Sequence, residues 1–214
     1  MVIMSEEEKF SLDDGKRLIK FVRENIHAFL NTGKRIPVPD DLKEMFGEKY
    51  GAFVTLNKYS NTQNPLRGCI GYIEPKFPLY DVLHRVSVSA ACEDPRFPAV
   101  SLKEMENITI EISILTPPEL IEVDNPEDYI KEIEIGKHGL IVERGPRRGL
   151  LLPQVPVDHD RNWDEKTFLE HTCQKAWLPK DAWKEKNTEI YRFSAILFEE
   201  EEPKGEVKRK YIQK

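Results

Sequence analysis

Cysteine is sparse in this chain and poorly placed for metal work. The 214 residues carry three cysteines, Cys69, Cys92 and Cys173. Their number is odd, their spacings are wide and no CxxC pair occurs, which argues against a zinc ribbon or a thioredoxin-type motif. His138, His159 and His171 add soft ligands but no ligand spacing, so neither a metal nor a cofactor is expected. No Walker A pattern or GxGxxG follows a strand, which removes the standard nucleotide-binding signatures. No apolar run approaches the roughly 18 residues of a membrane helix. Met1-Val2-Ile3-Met4-Ser5 runs straight into Glu6-Glu7-Glu8, without the basic start and apolar stretch of a signal peptide. Glutamine is scarce, no internal repeat stands out, and the net charge is −6, against the basic balance of a non-specific nucleic-acid binder. These absences lead to a cytoplasmic protein with reduced thiols, off the membrane and with nucleic acid disfavoured as a partner.

What is present is enough apolar material for a core, 39% of residues, under a heavily charged surface, 33%. The Glu- and Lys-rich bias is one seen in heat-adapted proteins. The length fits one domain, over 12–199, with a small subdomain from 31–48 or 120–135 and a charged, solvated tail over 200–214.

Periodicity gives an α+β fold, a largely antiparallel sheet with three main helices packed on it. Helices are expected near 12–30, 79–92 and 164–176. In the first, Leu18, Ile19, Val22, Ile26 and Phe29 share one face, Ser11 or Asp13 caps the start and Gly33 follows the end. In the last, Asn162 with Glu165 reads as a capping box. Strands are expected near 50–57, 70–73, 108–115, 140–143, 150–152 and 191–198. The stretch 108–115 alternates isoleucine with Thr109, Glu111 and Ser113, so it reads as half-buried on one sheet face. The loop 145–149, with Arg144, Arg147 and Arg148, reads as an exposed basic hairpin tip that has the chemistry to hold a phosphate.

The run Leu66-Arg67-Gly68-Cys69-Ile70-Gly71 stands apart. Gly68 and Gly71 strip bulk from both sides of a thiol and allow a sharp turn or a close approach. Arg67 can place a cation near Cys69, and a nearby cation raises the thiolate fraction. The alternative is a strand ending in a glycine turn with a small buried cysteine.

This hexapeptide resembles the hallmark of the AMMECR family. Asp94-Pro95-Arg96-Phe97, the run from Glu111 to Pro117, Gly136-Lys137-His138-Gly139-Leu140, Leu152-Pro153-Gln154-Val155 and the block from Trp163 to Ala176 follow in the same order. The resemblance covers about 12–199. It implies an intracellular α+β domain without an established reaction, found beside Memo-like and radical S-adenosylmethionine domains, which are the expected partners.

Two functions follow. In the first, Cys69 is a nucleophile for group transfer or hydrolysis and His138, in a second glycine-flanked turn, is its base. Arg67, Gly68, Gly71, Asp94, Arg96 and Gln154 then shape a ligand pocket. In the second, the same residues form a non-catalytic binding module for a protein, RNA or a small metabolite. Thiol accessibility separates the two.

Overall fold

The structure, a computed structural model, describes residues 9–60, 64–157 and 161–211. In chain order its elements are α1 (Leu12–Thr32), α2 (Asp40–Met45), β1 (Gly51–Lys58), β2 (Leu66–Tyr72), α3 (Leu79–Cys92), α4 (Leu102–Met105), β3 (Ile108–Leu115), β4 (Glu119–Leu120), α5 (Tyr129–Glu132), β5 (His138–Arg144), β6 (Arg147–Leu151), α6 (Glu165–Lys175), β7 (Glu189–Glu200) and β8 (Val207–Lys210). The fold is α+β with antiparallel strand pairing, and α1, α3 and α6 are its long helices. The described residues form two compact units, one from those within 9–115 and 196–210, the other from those within 116–195 and 211.

In the first unit the strands run β2-β1-β3-β7, and β8 pairs with the last residues of β7. α1 begins at Ser11, whose Oγ accepts the Asp14 N–H while Asp14 accepts the Ser11 N–H. It ends at Gly33, whose φ of 71° lets its N–H reach Phe29 O. Leu18, Ile19, Val22 and Ile26 are buried as the periodicity predicts, but Phe21 and Asn25 are buried with them. Asn25 is satisfied: its Nδ2 donates to His84 O and Ser87 Oγ, and its Oδ1 accepts the Ile36 N–H. α3 lays Leu79, Val82, Leu83, Val86 and Ala90 into the same core as Ala52, Val54 and Leu56 of β1.

Three expectations in this unit need correction. β3 is not half-buried, since all eight of its residues are buried. On its polar face Glu111 is held inside by Lys210, whose Nζ lies 2.7 Å from the carboxylate, and the main-chain N–H of Ile110 donates to Glu200. Glu200 in turn pairs with Arg23 of α1. The charged stretch after 200 is a strand over Val207–Lys210, where Lys208 and Lys210 face Glu199 and Glu111. The second arm of the β1–β2 hairpin begins at Leu66, so the hexapeptide is strand and not turn.

In the second unit β5 lies between β6 and β7, and β4 pairs with the first part of β7. α6 packs on β5 and β6 through Phe168, Leu169 and Cys173. Its cap is Asp164, whose Oδ1 accepts the Thr167 N–H at 2.7 Å, and not Asn162. The β5–β6 hairpin is tighter than expected. Arg144 pairs with Arg147, which leaves Gly145 (φ 58°) and Pro146 as the loop.

Candidate functional site

Four residues of the hexapeptide, Arg67, Gly68, Cys69 and Gly71, have distinct structural partners. Arg67 falls at an irregularity where Leu56 opposes Gly68 and Asn57 opposes Leu66. Its side chain turns inward and is 5% exposed as a residue. Nε and Nη2 grip the two oxygens of Glu104 at 2.6 and 3.1 Å, and the fork lies over the Phe97 ring. A bidentate carboxylate match of this kind uses the geometry of the guanidinium fully. Arg67 is therefore Glu104's cation and not the thiol's. Gly68 is needed for proximity: a Cβ there would lie 2.1 Å from Ala90 O of α3. Gly71 has the same role against Ala52 O and the Phe53 ring, both at 2.4 Å.

Cys69 is held by its main chain. Its N–H donates to Asp94 Oδ2 at 2.8 Å, and its carbonyl accepts from Arg96 Nη2 at 3.3 Å. β2 is the last strand on its side of the sheet in this unit. Asp94 and Arg96 thus satisfy the main-chain groups an edge strand leaves open. They also pair with each other, Arg96 Nη2 to Asp94 Oδ2 at 2.7 Å and Nε to Oδ1 at 2.9 Å. The Arg96 hydrogen bond is the main reason the buried Asp94 carboxyl is held well below the usual carboxylate range. The Cys69 thiol accepts from Thr55 Oγ1 at 3.4 Å. Burial pushes its pKa up, opposed more weakly by Thr55 and Arg96.

His138 and Gln154 belong to the second unit, whereas Cys69, Asp94 and Arg96 belong to the first. His138 is the first residue of β5, in strand and not in a turn. Its Nδ1 accepts the Glu134 N–H at 3.1 Å. Burial, then Arg192 and Lys137, lower its pKa, which favours the neutral ring. A neutral imidazole with Nδ1 accepting carries its proton on Nε2. The Gln154 side-chain oxygen is buried and has no hydrogen-bond partner among the described residues.

The AMMECR1 family model matches residues 19–198, most of the chain. This chain belongs to the AMMECR1 family. It is similar to the protein PH0010 of Pyrococcus horikoshii, 49% identical over 197 residues, 92% of this chain and 94% of that one. It is similar too to the protein MK0488 of Methanopyrus kandleri, 50% identical over 204 residues, 95% and 96% of the two chains. A crystal structure of the uncharacterized protein PH0010 superposes with a TM-score of 0.85 at 47% identity, covering 95% of this chain and 99% of that one.

Within this AMMECR1-family fold the sheet register brings a further residue to the thiol. Thr55 of β1 opposes Cys69 on one side and Glu111 of β3 on the other, so the three form one row across the sheet. Glu111 is buried, and that burial raises its pKa against the pull of Lys210. Sequence reading left Glu111 on a solvated face. The only available signal was its place in the alternation, two strands from Cys69, and pairing order is not written in periodicity. Among the described residues no group of three His, Cys, Asp or Glu is placed to hold a metal. His159 lies outside the described residues. His171 is exposed on α6 while Cys173 is buried in its core, as their spacing predicts. No helix among the described residues is long and apolar enough to cross a membrane.

Proposed function

We propose that this AMMECR1-family protein is a non-catalytic protein-binding module, with Cys69 a structural thiol and the docking face built along β2 and the segment after it. The observation that carries this reading is that the reactive atoms are already engaged. The thiol has its pKa raised by burial and accepts the Thr55 hydroxyl. Asp94 and Arg96 hold each other and the Cys69 main chain. His138 has its Nδ1 lone pair occupied by the Glu134 N–H at 3.1 Å. A nucleophile needs a base with a free lone pair or a depressed pKa, and these groups supply neither.

Beside them, Tyr72 at the end of β2 and Phe77 just after it are 40% and 39% exposed. Their rings pair at 6.0 Å, with Arg85 over Phe77 at 5.2 Å. Exposed aromatics with arginine are the composition of protein interfaces. Arg85 and Arg96 are each paired internally, with Asp81 and Asp94, which leaves little free positive charge for a phosphate backbone. Memo-like and radical S-adenosylmethionine proteins, the companions that the family resemblance implies, are the first partners to test. Binding of either purified protein should weaken about tenfold in Tyr72→Ala or Phe77→Ala, the loss typical of one interface anchor, and be unchanged in Cys69→Ser. Site-resolved alkylation should show Cys69 slow at neutral pH until the protein unfolds. Rapid neutral-pH labelling of Cys69, or loss of binding in Cys69→Ser with the fold intact, would return the thiol to the centre of the function.

A further inference from the structure

The second unit holds an exposed tryptophan in a position that backbone chemistry reserves for glycine. α6 ends at Lys175 and is capped by Ala176, and Trp177 follows with φ 58°. The Trp177 N–H donates to Gln174 O at 2.9 Å, and the Leu178 N–H to Cys173 O at 3.0 Å. These two bonds define a Schellman turn, whose left-handed residue is usually glycine and sometimes asparagine. A bulky residue there is strained. The chain gains no burial in exchange, because Trp177 is 86% exposed. An apolar side chain kept in a strained, solvated position points to a use outside the fold.

The surroundings indicate what that use is. Trp177 borders a cleft of about 420 Å³ lined by Leu151, Trp163, His171, Gln174, Lys175 and Trp177. Trp163 and His171 stack at 4.0 Å with their planes 6° apart, and the Arg161 guanidinium lies 5.5 Å from the Trp163 ring centre, so one wall is a stacked aromatic pair with a cation over it. No carboxylate is among these lining residues. Lys175 is exposed and its ammonium forms no ion pair among the described residues. The hairpin arginines are otherwise engaged: Arg144 with Glu185, Arg148 with Glu143, and Arg147 with Trp177 O at 3.0 Å. Gly149 lets the hairpin lie against the end of α6, since a Cβ there would be 2.3 Å from Ala176 N. The Trp177 turn is thus braced from beneath while its indole stays open.

We propose that this cleft binds a purine mononucleotide, with the base stacked on the Trp177 indole and the phosphate paired with Lys175. The indole matches a two-ring base in shape, and aromatic stacking of a base is sequence-tolerant and strong enough to select a ligand. Lys175 is the one Lys or Arg among the lining residues, none of which is a carboxylate, and Arg161 lies over the Trp163 ring, so the rim selects an anion. The cleft volume lies within the range of small-molecule sites. A mononucleotide fits better than a nucleic acid strand because the chain as a whole carries a net charge of −6, which opposes a polyanion.

The chain has three tryptophans, and the indole N–H signals of the full-length protein give a direct readout. Titration with AMP should shift the Trp177 and Trp163 signals saturably and leave that of Trp183, which is 1% exposed. Trp177→Gly should weaken AMP at least about tenfold, the scale of one lost base stack, without lowering the melting temperature. Lys175→Ala should weaken AMP but leave adenosine unchanged, which separates the phosphate contact from the stack without touching the turn. The proposal is overturned if AMP gives no saturable shift at millimolar concentration, if Trp177→Gly binds AMP like the parent, or if oligoadenylate binds far more tightly than AMP.

Discussion

The strand around Cys69 and the turn at Trp177 solve opposite problems. In β2 an odd-looking sequence is fully accounted for by its neighbours. Arg67 has Glu104, Gly68 has the Ala90 carbonyl, and the main chain of Cys69 has Asp94 and Arg96. At Trp177 a regular Schellman turn carries a residue that its neighbours do not require. A motif that stands out in sequence can therefore be structural, while a residue that looks like ordinary packing can be the exposed one. Unusual residues are weighed better by what they fail to satisfy than by how rare they look.

The largest effect expected from breaking this comparison is at the Arg67–Glu104 pair. Arg67's side chain is nearly sealed from water, whereas Glu104 is partly open and also lies 3.6 Å from Lys58. Removing one partner of a buried pair strands the other. Glu104→Ala should thus cost about 3 kcal/mol, because it leaves a desolvated guanidinium. Arg67→Met should cost less than half of that, because Glu104 can turn to water and Lys58. Urea unfolding of the two variants checks the order. Equal losses would mean that Arg67 is not the buried member, and the structural account of the hexapeptide would weaken.

Asp94 gives the next effect and a sign in pH. Its folded pKa lies below the ordinary unfolded value of about 3.9. At mildly acid pH the unfolded chain therefore binds the proton more readily than the folded one. The stabilisation is complete above the unfolded value and drains away as pH falls through the folded one. Asp94→Asn keeps an oxygen for the Cys69 N–H but loses the charge facing Arg96. It should cost about 2 kcal/mol at neutral pH. The gap between variant and parent should then close below about pH 4 as the parent loses its own advantage. Unfolding midpoints measured across that window would show it, and two parallel curves would remove Asp94 as the clasp of the edge strand.

Much of the fold was legible because the signals were local. The α1 cap at Ser11, the left-handed Gly33, the inward faces of α1 and α3 and the alternation of β1 all follow from spacing alone. What was hidden depends on pairing order. Glu111 reads as solvated until β8 brings Lys210 to it, and the charged stretch after 200 reads as a tail until the register with β7 gives it partners. The same holds at the site. Asp94 and Arg96 were legible as candidate pocket residues, but not as the hydrogen-bond partners of Cys69, 25 and 27 residues away. Arg67 was read from its nearness in sequence to the thiol, whereas its charge is used by a residue 37 positions on. Trp177 and Trp183, on either side of Pro179, both read as packing because tryptophan is usually well buried, and nothing in the sequence marks the left-handed backbone at Trp177.

The smallest effect is also the sharpest contrast, because it should run the other way. If Trp177 is strained for a purpose, relieving the strain should stabilise the protein. Comparing Trp177→Gly with Trp177→Ala isolates the backbone, since both remove the same exposed indole. Alanine keeps the left-handed penalty of about 1–2 kcal/mol. Glycine escapes it but gives the unfolded chain about 0.4–1 kcal/mol of extra entropy. The glycine variant should therefore exceed the alanine variant by about 1 kcal/mol, a rise of about 2–4 °C in melting temperature for a chain of this size. It should match or exceed the parent as well, because the indole is too exposed to contribute much burial. A glycine variant less stable than alanine would mean that the turn does not hold its left-handed geometry in solution. The case for a tryptophan kept there against the preference of its backbone would then fall with it.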